Sequence, residues 1–338
     1  MRLIHGMYQH VERMWWRPDT PPLLLRWASH MYGAISRWQL KQRARNMQAP
    51  SIPMLSVGNI TVGGSGKTPF VIWLAKELKK YGYAPVILCR GDGGSAKQPC
   101  ILDKHTRPEI AGDEACLLFE ASGCPVISAR DRIAGSQMAA ELGNILILDD
   151  GFQYRHLNRI CDIVLVPAEG IGNGQIIPAG PLREAPSALE RADMIIRTGT
   201  PPNKPLSFAH AREWTWQPES SEWVDIRHTG TEKPERCIAV AAIARPERFF
   251  NSLRTQGCHV AETCAFPDHY RFGCRDVEML LNHHLPVVTT SKDAVKLRHL
   301  WPEDQPLWVL QQHHQAEEGL LEAIIACLPA AKRNVAGA

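Results

Sequence analysis

Beyond residue 50, short apolar runs alternate with stretches whose apolar positions recur every three or four residues. The runs fall at 52–57, 84–89, 125–128, 144–148 and 162–166, and again at 237–243, 259–263, 286–289 and 307–310. Helical spacing falls at 69–81, around Leu117–Phe119 with Glu114 near the start, and at 131–142, 246–255, 293–300 and 316–327. Runs that are apolar on both faces and separated by helices predict an α/β fold with a parallel sheet covered on both sides. The proline-rich interval 200–218 reads as a surface loop or lobe boundary, and 223–228 as an exposed strand. The expected division is an N-terminal segment 1–48, a core 49–222, and a smaller α/β lobe 223–338.

The N-terminal segment has a different texture. After Pro22, Leu24, Leu25, Trp27, Ala28, Met31, Tyr32, Ile35, Trp38 and Leu40 recur at helical spacing, with Arg26, Arg37, Lys41 and Arg43 among them. Such an aromatic, cationic amphipathic helix suits a membrane interface, and it equally suits packing on its own domain. No window supplies the roughly 18 apolar residues of a spanning helix.

A formal charge of +3 and the lack of a long basic run speak against nucleic acid as a partner. Ten cysteines without a C-x-x-C pair or a secretory signal predict reduced thiols in a cytosolic setting. The spacings from Cys258 to Cys264 to Cys274 match no zinc pattern.

The candidate chemistry begins at SVGNITVGGSGKTPF, residues 56–70. A phosphate-binding loop has the form G-x-x-x-x-G-K-[ST], in which backbone amides surround phosphates, lysine reaches the outer ones and the hydroxyl meets magnesium. Lys67 and Thr68 fill the last two roles, but Thr61 stands where the first glycine belongs. Gly63, Gly64 and Gly66 are then expected to supply the left-handed positions. Thr61, Val62, Gly63, Gly64, Ser65, Gly66, Lys67 and Thr68 form the candidate nucleotide loop; the alternative is a glycine turn. The run NILILDDGFQ delivers Asp149 and Asp150 to a strand's C-terminal end, where a magnesium shell needs carboxylates, unless this is a plain Asp-Asp-Gly turn.

The stretches GNITVGGSGKTP, AGDEA, DDGFQ, IIPAGPLRE, FPDHYRF and TSKDAVKL occur in that order from Gly58 to Leu297. Together they make the chain resemble the tetraacyldisaccharide 4'-kinases, the lipid A kinases of Gram-negative bacteria. The resemblance implies a P-loop NTPase-like core and transfer of the γ-phosphate of ATP, with Mg2+, to the 4'-hydroxyl of a tetraacyl glucosamine disaccharide 1-phosphate. It further implies a peripheral, monomeric enzyme on the cytoplasmic face of the inner membrane. Asp113, an N-cap by local reading, becomes the general base through the resemblance, with His269 as its partner. Arg183 is expected to stabilise the transferring phosphoryl group and Glu184 to join Asp149 and Asp150 near the metal. Arg130, Gln153 and Glu114 are expected to contact substrate, and Lys292 and Asp293 to form a lobe feature facing the nucleotide.

Two positions depart from the family pattern: Tyr154 stands where histidine is usual and Asp92 where tyrosine is usual. The competing reading is a nucleotide-dependent switch or metallochaperone, which would hydrolyse with water and dimerise; an ATP-dependent ligase is a third. Neither has a use for an amphiphile-binding N-terminus.

Overall fold

The computed structural model describes residues 11, 14–17, 20–199, 206, 212–229 and 232–330. The first ten residues of the N-terminal segment and most of the proline-rich interval fall outside them. In chain order come α1 (Leu23–Arg45), β1 (Met54–Asn59), α2 (Lys67–Lys80), β2 (Pro85–Cys89), β3 (Cys100–Ile101), α3 (Pro108–Ala111), α4 (Asp113–Ser122), β4 (Val126–Ser128), α5 (Arg132–Met138), β5 (Ile145–Asp149), β6 (Cys161–Pro167) and β7 (Met194–Thr198). The second half contributes β8 (Glu213–Asp225), β9 (Arg236–Ala241), α6 (Pro246–Thr255), β10 (His259–Ala265), α7 (Cys274–Leu281), β11 (Val287–Thr289), α8 (Ser291–Leu297), β12 (Leu307–Ala316) and α9 (Leu320–Ala326).

All twelve strands join one sheet in the order β10-β9-β11-β12-β8-β7-β6-β1-β5-β2-β4-β3. Neighbours run parallel except β3 with β4 and β8 with β12. β1, β2, β5 and β6 are buried along their whole length, as strands covered by helices on both faces must be. The register sets Val57 beside Asp149, so the glycine loop leaving β1 and the aspartate pair ending β5 emerge together. That edge is where open parallel sheets hold ligands.

β8 departs from the sequence expectation. The interval expected to be loop up to 218 becomes strand from Glu213, pairing with β7 through Glu213–Trp216 and with β12 through Trp216–Asp225. Pro218, the last residue of the expected loop, sits with Glu219 and Ser220 on the exposed stretch of the strand. His313 pairs with Ser220 and His314 with Pro218, so Glu219 is an inserted residue, and a bulge is where a sheet tolerates proline. Position 222 lies inside this strand. The second half carries its own apolar clusters around Phe250 and Trp301, whereas Leu320 and Ile324 of α9 return to the cluster beneath the first half.

α1 docks through its small residues. Ser29 and Gly33 are its buried positions; Ser29 Oγ donates to Ile176 O at 2.7 Å and accepts from Ala179 N at 2.9 Å. On the opposite side Leu24, Trp27, Met31, Ile35 and Trp38, spaced to share one face, are exposed, Trp27 to 65% and Trp38 to 63%. No described helix is long and apolar enough to cross a membrane. All ten cysteines are free thiols.

Gly58 in β1 meets Phe152 so closely that an added Cβ would lie 2.5 Å from Phe152 Cβ and 2.7 Å from its nitrogen. Backbone cannot yield as a flexible side chain does, so Gly58→Ala should lower unfolding free energy by about 1–3 kcal/mol, the usual cost of overpacking. Urea unfolding of the variant beside the parent chain measures this.

Candidate active site

The glycine loop explains its own irregularity. Thr61 is buried and forms an antiparallel bridge with Leu182, flanked by Val62 N to Pro181 O at 2.8 Å and Arg183 N to Ile60 O at 2.8 Å. The first glycine position is therefore a bridged residue tied to the PAGPLRE segment, with no left-handed φ that would call for glycine. The left-handed conformation is taken by Gly63 at φ 94° and Gly66 at φ 78°; Gly64, expected to share it, does not. Inside the loop Asn59 Nδ2 donates to Thr61 O at 2.8 Å and Ser65 Oγ at 2.9 Å. Sequence reasoning passed over Asn59, although a buried amide closing an apolar strand was the available signal. α2 begins at Lys67, leaving its first amides free for an anion.

Asp150 is the hub of the phosphate side. Its Oδ1 lies 3.0 Å from Lys67 Nζ, and Arg183 Nη1 donates to both its oxygens, at 3.1 and 2.9 Å. Burial alone would raise its pKa, but Lys67 and Arg183 overcome that and hold the carboxyl far below its usual range. Asp150 has φ 51°, and the buried Arg132 donates to its carbonyl at 3.0 Å while lying over the Tyr154 ring. So Tyr154, in place of the family's histidine, supports the arginine that holds this turn. Asp149 is also buried; desolvation first, then Glu114 and Asp150, push its carboxyl well above the ordinary range, and its Oδ1 has no hydrogen-bond partner.

Glu184 and Gln153 stand behind this cluster. Arg191 Nη2 donates to both Glu184 oxygens at 3.1 and 2.9 Å, and Gln153 Nε2 donates to Asn59 O at 3.0 Å and Glu184 Oε1 at 3.3 Å. Arg130, exposed, donates to Gly94 O at 2.9 Å.

A second cluster faces the loop from across the cleft. Asp113 is not a cap: Gly112 holds the N-cap position of α4, and Asp113 is the first helical residue. Its Oδ1 lies 3.2 Å from His269 Nδ1, so the AGDEA and FPDHYRF stretches meet as the family resemblance implied. Lys292 and Lys296 come within 3.9 and 3.7 Å of Oδ2. Lys292 thus belongs to the Asp113 cluster at the cleft, while Asp293, expected beside it in a feature facing the nucleotide, is fully buried instead, accepting from Ala242 N and Thr290 Oγ1 at 2.8 Å. The cleft between the clusters has a volume of about 1120 Å³ and is lined by the loop, Asp149, Asp150, Arg183, Glu114, His269 and Lys292.

Burial works to raise the Asp113 pKa, but the His269 contact and then Lys292 outweigh it, and the net direction is down. The bond to Asp113 raises His269. A lowered carboxyl stabilises the fold above its unfolded value of 3.8 and loses that as pH falls through the folded value. A raised histidine stabilises below 6.5 and loses that as pH climbs through its folded value. The contact is therefore fully stabilising between pH 3.8 and 6.5. His269→Gln should cost more unfolding free energy at pH 5.5 than at pH 8.5, as denaturant titrations at the two pH values would show.

Comparison with known proteins shows the family. The family described as Tetraacyldisaccharide-1-P 4'-kinase matches residues 22–328. The tetraacyldisaccharide 4'-kinase of Halorhodospira halophila is 36% identical over 309 residues, covering 89% of this chain and 91% of its own length. That of Methylobacillus flagellatus is 34% identical over 334 residues, covering 94% and 95%. Among solved structures, the "apo" form of LpxK from Aquifex aeolicus in complex with ATP superposes with a TM-score of 0.73 at 27% identity, over 89% of this chain and 97% of that one. The chain belongs to the tetraacyldisaccharide 4'-kinase family.

Proposed function

We propose that this chain transfers the γ-phosphoryl group of ATP to the 4'-hydroxyl of a tetraacyl glucosamine disaccharide 1-phosphate. One observation carries the reading: a phosphate-gripping loop with Lys67, Asp150 and Arg183 faces a buried carboxylate, paired with the His269 imidazole at the cleft surface, across a single cleft. A kinase needs both halves, one to neutralise phosphate charge and one to take a proton from the acceptor. The family membership and the ATP bound by the Aquifex aeolicus enzyme support it.

The amides of residues 63–68 and Lys67 hold the outer phosphates. Arg183, with donors beyond those Asp150 uses, stabilises charge on the group in transfer. The site fits Mg2+: the partnerless buried Asp149 Oδ1 calls for a cation, and Asp150 and Thr68 stand beside it in sequence and cleft. No group of three His, Cys, Asp or Glu that could hold a metal occurs among the described residues, so an ion here would rest on one or two carboxylates together with substrate phosphates. Bound there, Mg2+ would neutralise phosphate charge. Glu184 reaches it only by leaving Arg191.

Asp113 receives the hydroxyl proton, and its depressed pKa keeps it ionised for that task; His269 orients it. Glu114 and Arg130 offer contacts to the sugar, while Gln153 shapes the site from behind. The exposed stripe on α1, flanked by Arg26, Arg37 and Lys41, lies on the cytoplasmic leaflet of the inner membrane as an interfacial helix, and the enzyme acts as a peripheral monomer. Apolar side chains turned away from the protein favour this over packing on its own domain.

Purified protein given labelled ATP and the acylated disaccharide should move label into the lipid. Label released only as inorganic phosphate, equally without lipid, would favour the switch reading. Asp113→Asn should lower kcat by about 10²–10⁴-fold with ATP affinity retained, and Lys67→Ala should abolish turnover, both read in the same assay. For the membrane, the double variant Trp27→Ser with Trp38→Ser should shift protein from pellet to supernatant when sedimented with anionic vesicles; unchanged partitioning would remove the helix from this role.

A further inference from the structure

The lysines of α8 play no part in the reaction as described so far, yet both turn towards its proton acceptor. Thr290 caps the helix, its Oγ1 accepting from Asp293 N at 3.1 Å, and Lys292 and Lys296, four apart, share one face. Lys292 Nζ lies 3.3 Å from His269 Nε2, 3.3 Å from Asp268 Oδ1, 3.7 Å from Glu114 Oε1 and 3.9 Å from Asp113 Oδ2. Lys296 Nζ is 2.7 Å from Asp293 Oδ1, donates to Tyr270 O at 3.1 Å and stands 3.7 Å from Asp113 Oδ2, 5.2 Å from the Phe272 ring centroid. Both are largely buried, at 16% and 10% side-chain exposure, so neither is a solvated surface charge.

Donor and acceptor chemistry then fixes the imidazole. An ammonium only donates, so whenever the ring is neutral the His269 Nε2, at 3.3 Å, is the accepting nitrogen and the ring proton sits on Nδ1, aimed at Asp113 Oδ1. The other carboxylate oxygen is buried and has no hydrogen bond of its own; the two ammonium groups are what make its charge tolerable there. Lys296 is in turn anchored by the fully buried Asp293. The charged and titratable neighbours of the pair are thus His269 and Asp268 on the loop after β10, Lys292, Asp293 and Lys296 on α8, and Glu114 and Cys116 on α4.

We propose that Lys292 and Lys296 are positioning residues for the phosphoryl transfer: Lys292 selects the histidine tautomer that donates to Asp113, and Lys296 keeps Asp113 Oδ2 an unprotonated anion. Neither is assigned contact with the reacting atoms. This rests on the reading of Asp113 and His269 as the proton-accepting pair. Loss of either positive charge raises the proton affinity of the pair, so the acidic limb of kcat moves to higher pH while activity on the alkaline side recovers.

The test is the pH profile of kcat for the full chain, Lys292→Met, Lys296→Met and Lys296→Arg, with Asp113→Asn in the same assay. Each Met variant should carry the acidic limb upwards by about one unit or more, the effect expected of an opposite charge at this separation. Lys296→Arg should keep the parental limb. A lowered plateau with an unmoved limb would show α8 to be scaffolding only and would overturn the proposal. Should Lys296→Met not fold because Asp293 loses its cation, Lys292→Met decides alone, since Lys292 lies at the cleft wall. Nitrogen chemical shifts of His269 give a second readout: the Nδ1–H form should dominate in the parent and give way to a tautomer mixture in Lys292→Met, and an unchanged ratio contradicts the assignment. Near-parental turnover of Asp113→Asn would instead fault the reading of Asp113 itself.

Discussion

One carboxylate shared by two cations organises the nucleotide side of this molecule. Asp150 ends β5, Lys67 opens α2 and Arg183 follows the segment bridged to Thr61, so three stretches far apart in sequence are drawn to a point. The arrangement is possible because β1 and β5 are neighbours in register, and because Gly58 lets Phe152 press against β1 without a side chain between them. In a partly buried position, each of these charges would be costly alone. Together they are mutually compensated, and they present a positive surface where a polyanion is to sit.

The same logic, an anion held among cations, governs the opposite wall. There one buried aspartate is held ionised by a histidine and two lysines that come from the second half of the chain. The long antiparallel pair β8 and β12 lies between the two halves. It joins the two halves of the sheet and carries the inserted Glu219, and residues after β10 and β11 line the same cleft as those after β1 and β5. Arg248 of α6 and Glu169 after β6 add an ion pair between the halves at the surface.

How much of this the sequence disclosed follows from how local each signal is. The buried strands and the helices of the first half were legible because their apolar periodicity is short-ranged. Lys67, Asp150 and Arg183 were found from motifs, and Asp113 and His269 came together only through family likeness, since nothing in a lone AGDEA or FPDHYRF shows that they lie 3.2 Å apart. The first part of β8, 213–218, was misread because its proline lies beside an exposed bulge, where propensity weighs against strand and only the partner strand decides. Lys296 and Asn59 escaped notice for a related reason: a lysine in a helix and an asparagine after a strand are ordinary until folding buries them. The role of Glu184 was inferred from its motif alone, whereas Arg191, seven residues further on, claims it in the fold.

The bridge between Thr61 and Leu182 has a wider bearing. A strict regular expression that insists on glycine at that site would discard this chain, although its main chain there is secured by a ladder rung and makes no bend that only glycine could manage. Screens for nucleotide loops would do better to ask what anchors the entering strand than which letter stands at the first place.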